Sequence, residues 1–172
     1  LQFTSNAGTT LDTNGVALYD LTIKKQSGGD VEVIGTVVVN NDLVVESGGS
    51  NPDINSGTIE VNGDVSFLDH RDGTALIKMT GSGTQSLTGA AGGGIPDFEF
   101  ASTGTVNLVG TIKFVRDVTY TSGTVVAGSS TVEFDNRDAT LDTAGITFND
   151  VVFSKTGTNV ATLTSDMTVN GN

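Results

Sequence analysis

Two four-residue clusters hold the residue types that could do chemistry: Asp69-His70-Arg71-Asp72 and Asp135-Asn136-Arg137-Asp138. Two carboxylates around an arginine would suit a glycosidase or a polysaccharide lyase, in which paired carboxyl groups divide the acid and the base or nucleophile roles. His70 is the only histidine, and Asn136 stands at its place in the second cluster. What the clusters share is therefore read as turn geometry, with an ion pair between arginine and aspartate inside each cluster. No catalytic, cofactor-binding or metal-ligating residue is assigned, and the chain is read as no enzyme.

A second set is a row of aspartates, Asp20, Asp42, Asp64, Asp97, Asp117 and Asp150, each opening an apolar-any-apolar strand. Stacked about 4.8 Å apart, such charges would repel by about 1 kcal/mol per pair in water. Capping of each turn by its own aspartate is the expected use. Bound Ca2+ shared between neighbours is the alternative, and no other cofactor is expected. The glycine-rich run 88–94 lacks the following Lys-Ser/Thr and the helix that a phosphate cradle needs. Two tyrosines and no tryptophan give a sugar few platforms, and the eight phenylalanines fall mostly at inward strand positions. Thr103/Thr105, Thr119/Thr121, Thr156/Thr158 and Thr162/Thr164 follow no common period, so β propensity accounts for them better than a water-ordering face does.

The elements that must position these groups are short strands. Apolar residues alternate with polar ones in bursts such as Leu21/Ile23, Val37/Val39, Leu43/Val45, Ile59/Val61 and Val132/Phe134, punctuated by Gly, Asn, Asp and Ser. No window sustains a helical period. Asp20, Asp42 and Asp64 stand 22 residues apart. A longer echo links Phe3–Leu11 (FTSNAGTTL), Met79–Leu87 (MTGSGTQSL) and Phe134–Leu141 (FDNRDATL), each followed by a loop and a strand. A coil of roughly 21 residues with two or three such strands is what a parallel β-helix requires. The chain is thus predicted to be all-β, a right-handed parallel β-helix of about eight short coils. The rival is an antiparallel β-sandwich, which has no natural place for the 22-residue echo. One solenoid domain covers 1–172, with divergent repeats at about 1–76, 77–131 and 132–172.

Composition narrows the partners. Eight basic and twenty acidic residues give a net charge of −12, which repels nucleic acid and anionic membrane surfaces. The longest purely apolar runs are three residues, such as Val37-Val38-Val39, so no membrane insertion is expected. Without cysteine there is neither a disulfide framework nor a thiolate site. The repeated pattern of Thr36–Gly48 (TVVVNNDLVVESG), followed later by GSGTQSLTG and a strand opening on Asp, resembles the repeats of large bacterial surface and secreted proteins, similar to filamentous-haemagglutinin and autotransporter-passenger β-helices. The resemblance implies an extracellular or cell-surface rod that spaces, adheres or assembles, with a surface glycan or receptor as a further partner.

The chain starts at Leu1 in strand pattern and stops at Asn170-Gly171-Asn172, a corner like Asn40-Asn41-Asp42. The expectation is a portion of a longer solenoid, or a unit whose ends pair with other copies or neighbouring repeats. The expected function is that of a structural or adhesive module able to stack end to end. The competing class is a carbohydrate-binding or carbohydrate-cleaving β-helix.

Overall fold

The computed structural model describes residues 1–4, 7–25, 29–47, 53–70, 72–135 and 137–172, without the side chains of residues 25, 47 and 70. Among them there is no helix, and every strand pairing is parallel. The β-solenoid is thereby established, and the antiparallel sandwich is excluded.

Three faces are visited in turn. Thr9–Leu11, Val31–Val33 and Ile54–Asn55 stack on the first face, which Thr131–Asp135 and Asp150–Ser154 complete farther along. The second face carries Thr36–Val39, Thr58–Val61 and Leu76–Met79, then residues 97–100 and 118–120, then Ala139–Asp142 and Ala161–Leu163. Gln2–Phe3, Leu21–Lys25, Leu43–Ser47 and Val65–His70 open the third face, and Thr147–Phe148 and Thr168–Val169 end it. The solenoid makes about seven turns. Steps between paired residues range from 18 (Thr58 to Leu76) to 23 (Val118 to Leu141).

Period two is what makes this work. With alternate side chains on opposite sides of each strand, Val37 and Val39, Ile59 and Val61, and Ile77 and Met79 turn inward and stack in columns, all fully buried. Aromatic rings fill the later turns. Phe114 and Phe134 stack at 5.9 Å between centroids, and Phe134 and Phe153 at 5.3 Å, both pairs at 24°. Phe98 and Phe100 close on Phe114 from the second face at 5.4 and 6.3 Å.

The glycine-rich run is irregular, as its composition suggests. Register shifts between Gly89 and Gly92 against one neighbouring strand and between Gly89 and Gly94 against the other. A Cβ on Gly93 would lie 2.0 Å from the Phe67 carbonyl oxygen, so only glycine lets the backbones approach this closely.

The pairings also explain the long echo. Phe3 pairs with Ile23, Met79 with Phe100 and Phe134 with Phe153. Each echo is therefore one turn, returning to the face on which it began. The three do not begin on the same face: Phe3 lies on the third, Met79 on the second and Phe134 on the first.

Candidate functional site

The aspartates form separate short ladders on the three faces, although not through capping of local turns. Asp20 Oδ1 accepts the backbone N–H of Asp42 at 3.2 Å, Asp42 Oδ1 that of Asp64 at 2.9 Å, and Asp64 Oδ1 that of Ser86 at 2.8 Å. The same bond runs from Asp117 N to Asp97, from Thr140 N to Asp117 and from Asn172 N to Asp150. Each carboxylate thus holds the corresponding corner one rung onward. The N–H donors offset the like-charge repulsion expected of a stacked row. Local capping occurs at other aspartates, with Asn14 N donating to Asp12 and Ala144 N to Asp142. The corner glycines follow from the ladder: a Cβ on Gly63 would meet Asp42 Oδ1 at 2.6 Å, and one on Gly171 would meet Asp150 Oδ1 at 2.1 Å.

Burial splits the row electrostatically. At the exposed Asp20 the Asn41 side-chain amide and then the Asp42 N–H hold the carboxyl below its usual range. Asp97 receives an equivalent N–H bond, yet desolvation pushes its carboxyl up. Asp53 is pushed up too, by desolvation and then by Asp30 and Asp72. A raised folded-state value means that the folded chain binds a proton more readily than the unfolded one, so this contribution to stability falls as pH rises through that value. Asp97→Asn keeps an oxygen for the Asp117 N–H and removes the charge. It should raise the melting temperature at pH 7, with the gain shrinking toward pH 3.8, the ordinary aspartate value, as wild-type Asp97 takes up its proton. A lower melting temperature at pH 7 would contradict this assignment.

The structure joins the two four-residue clusters in an unexpected way. Among the described residues the Arg137 guanidinium pairs outside its own cluster, while its backbone N–H donates to the Asp135 carbonyl at 2.8 Å. Its Nη2 lies 2.5 Å from Asp72 Oδ2, and Arg116 Nε lies 3.0 Å from Asp72 Oδ1. Asp72 is buried, and its Oδ1 also accepts the Gly73 N–H at 2.8 Å. Two arginines, two and three rungs onward, thus close on one carboxylate. The internal ion pair expected for Asp135–Asp138 is replaced by this clamp, because stacking brings distant corners closer than cluster neighbours. The His70 side chain, Arg71 and Asn136 lie outside the described residues. Asp135 pairs with Lys113 at 3.4 Å, and Asp138 Oδ1 accepts the Val160 N–H at 2.8 Å. The sequence reading missed Arg116. Its signal was there, because each of the three arginines directly precedes an aspartate: Arg71-Asp72, Arg116-Asp117 and Arg137-Asp138.

Other lateral features are modest. Lys24–Glu46, Lys78–Glu99 and Lys113–Glu133 are ion pairs between residues paired on adjacent rungs. Lys155 Nζ donates to the Asp135 and Arg137 carbonyls, and burial pushes its amine down. An open cleft of about 380 Å³ is lined by Asp117, Asp138, Thr140, Thr158, Val160 and Thr162, with no aromatic ring in its wall. Thr119 and Thr162 lie on the second face, but the strand between them offers Thr140 and Asp142, so the row is mixed. Among the described residues no group of three or more His, Cys, Asp or Glu is placed to hold a metal ion.

The ends of the stack differ most from its middle. Leu141 is fully buried, whereas Leu163, its partner on the last rung, is 49% exposed. Phe134 and Phe153 show the same contrast, 0% against 48%, as do Phe148 and Val169, 0% against 37%. At the other end Val16 is 67% exposed, while Ile146, in the matching turn of the third echo, is 2% exposed. Inward-type side chains here have no rung stacked over them. No family model matches the chain, and neither a curated protein nor a solved structure is similar to it.

Proposed function

We propose that this chain is an extracellular, non-enzymatic structural or adhesive module of the bacterial surface and secreted repeat class that its motifs resemble. It serves as a rigid rod, joined to further solenoid rungs at its ends. The observation that carries this reading is the uncovered last rung, where Leu163, Phe153 and Val169 continue columns that are dry one rung earlier. A rung cannot bury its own stacking face, so a neighbouring rung is the natural cover. The lateral carboxylates support the reading as well, since Asp72, Asp135 and Asp138 each hold structural partners. The cleft beside Asp117 and Asp138 is a feature on the side of a carbohydrate module, but it offers no stacking platform.

Sedimentation velocity over a range of concentrations tests the reading. The wild type should sediment as growing assemblies. Leu163→Lys, at a half-exposed position, should leave the monomer folded and weaken assembly roughly 30-fold, equivalent to about 2 kcal/mol of lost apolar burial. A wild type that remains monomeric throughout would remove end-to-end assembly from the account.

A further inference from the structure

Three Asn-Gly doublets stand at corners of the solenoid: Asn14-Gly15, Asn62-Gly63 and Asn170-Gly171. The doublet is chemically fragile, because glycine has no Cβ to screen its backbone nitrogen from the preceding side-chain amide. Attack on that amide needs the nitrogen free of other bonds and the asparagine side chain free to turn toward it. The three corners differ on both counts.

The Gly63 N–H donates to the Asn41 carbonyl at 2.8 Å, and the Gly171 N–H to the Asn149 carbonyl at 2.7 Å. These bonds join one rung to the next, so freeing either nitrogen means parting stacked rungs. The Asn62 side chain is held as well, its Oδ1 accepting the Thr80 hydroxyl at 3.0 Å. A Cβ on Gly63 would lie 2.3 Å from the Asn41 carbonyl oxygen, so the two backbones are in close contact.

Gly15 is the opposite case. Among the described residues its N–H has no acceptor, and nothing lies within 4 Å of where a Cβ would stand. Asn14 and Gly15 are both exposed, with φ of 49° and 80°. They form the tip of a turn closed by one bond, from Val16 N to the Thr13 carbonyl at 2.9 Å. Opening that turn parts no rungs.

Exposure of this tip does not depend on what is stacked beside it. The matching turn of the third echo, at residues 142–146, repeats both local bonds, with Ala144 N donating to Asp142 and Ile146 N to Thr143. The strand that leads into it has paired strands on both sides, yet Ala144 and Gly145 remain exposed. A rung laid against residues 12–16 would cover Val16, as Ile146 is covered, and leave Asn14-Gly15 in water.

We propose that Asn14 is a site of spontaneous covalent modification, deamidating through a cyclic imide while Asn62 stays intact. The Gly15 nitrogen gives up its proton and attacks Asn14 Cγ. The new C–N bond closes a five-membered succinimide, the Cγ–Nδ2 bond breaks, and the amide nitrogen leaves as ammonia with that proton. Water then opens the imide at either carbonyl, giving aspartate or isoaspartate. One water is consumed and one ammonia released, with no oxidant or cofactor. Either product adds one negative charge to the −12 of the chain. The charge arises beside Asp12, whose Oδ1 accepts the Asn14 N–H at 2.8 Å. Isoaspartate also lengthens the main chain by one carbon inside the turn. The change is irreversible, so the modified fraction rises with the age of the chain.

The test incubates the intact chain in mildly alkaline buffer and follows it by peptide mass spectrometry with fragmentation. Conversion shows as the mass gain of replacing NH by O, and as a product peptide that splits chromatographically into two isomers. In the folded chain Asn14 should convert at least about tenfold faster than Asn62, because only Asn62 must wait for rungs to part. In denaturant the two rates should converge, since both asparagines precede glycine. Equal rates at Asn14 and Asn62 in the folded chain would overturn the proposal. So would an Asn14 that stays intact while the chain is folded and converts only in denaturant.

Discussion

Phe134→Ala is expected to destabilise the chain by about 3–5 kcal/mol, the cost of emptying a large, dry core position. Phe134 is fully buried, with Phe114 stacked on one side, Phe153 on the other and Phe148 edge-on at 6.4 Å. Its truncation breaks the aromatic column in the middle, where rungs on both sides prevent collapse into the void. Phe153 sits in the same column one rung later and is 48% exposed. Phe153→Ala should cost only about 1–2 kcal/mol, since roughly half of its surface already meets water. Chemical denaturation of the two variants measures the contrast. Equal losses would mean that rung stacking is not what buries these rings.

The second large effect concerns the clamp on Asp72. Removing both arginines by Arg116→Ala/Arg137→Ala should cost about 3 kcal/mol, because a carboxylate with 7% side-chain exposure is left charged without a cationic partner. Asp72→Asn should cost less, about 1 kcal/mol. The arginine side chains that it releases are 31% and 57% exposed and can turn to water, and the Gly73 N–H keeps an oxygen acceptor. The order is the diagnostic result. Adding Asp72→Asn to the double arginine variant should restore part of the loss, since the stranded charge is then gone. A triple variant less stable than the double one would show that the arginines matter through packing and not through Asp72.

Much of the fold was legible because its signals are local and repeated. Val37/Val39 and Ile59/Val61 announce period-two strands, and their 22-residue separation is the length of the turn that stacks them. The aspartate row was legible as a feature of corners. Its actual use was hidden, because an acceptor bond from Asp42 to the backbone of Asp64 depends on the rise of one rung and not on the local turn. The phasing of the three echoes was hidden for a related reason. Turn length varies between 18 and 23 residues, so intervals along the chain do not reveal on which face Met79 or Phe134 lands. The Asp72 clamp was the least accessible. Arg137 is 65 positions from Asp72 in sequence, and only stacking makes them neighbours. The doublet common to all three arginines marked the participants without telling which partner each would choose.

The exposed inward-type residues at Leu163, Phe153 and Val169 link fold and function, because the column rule that buries Leu141 and Phe134 leaves these three uncovered. Electron microscopy of the unmodified chain, imaged across a concentration series, tests that link most directly. Unbranched filaments of constant width, lengthening with concentration, are the expected result. Separate short particles of a single size at every concentration would contradict it.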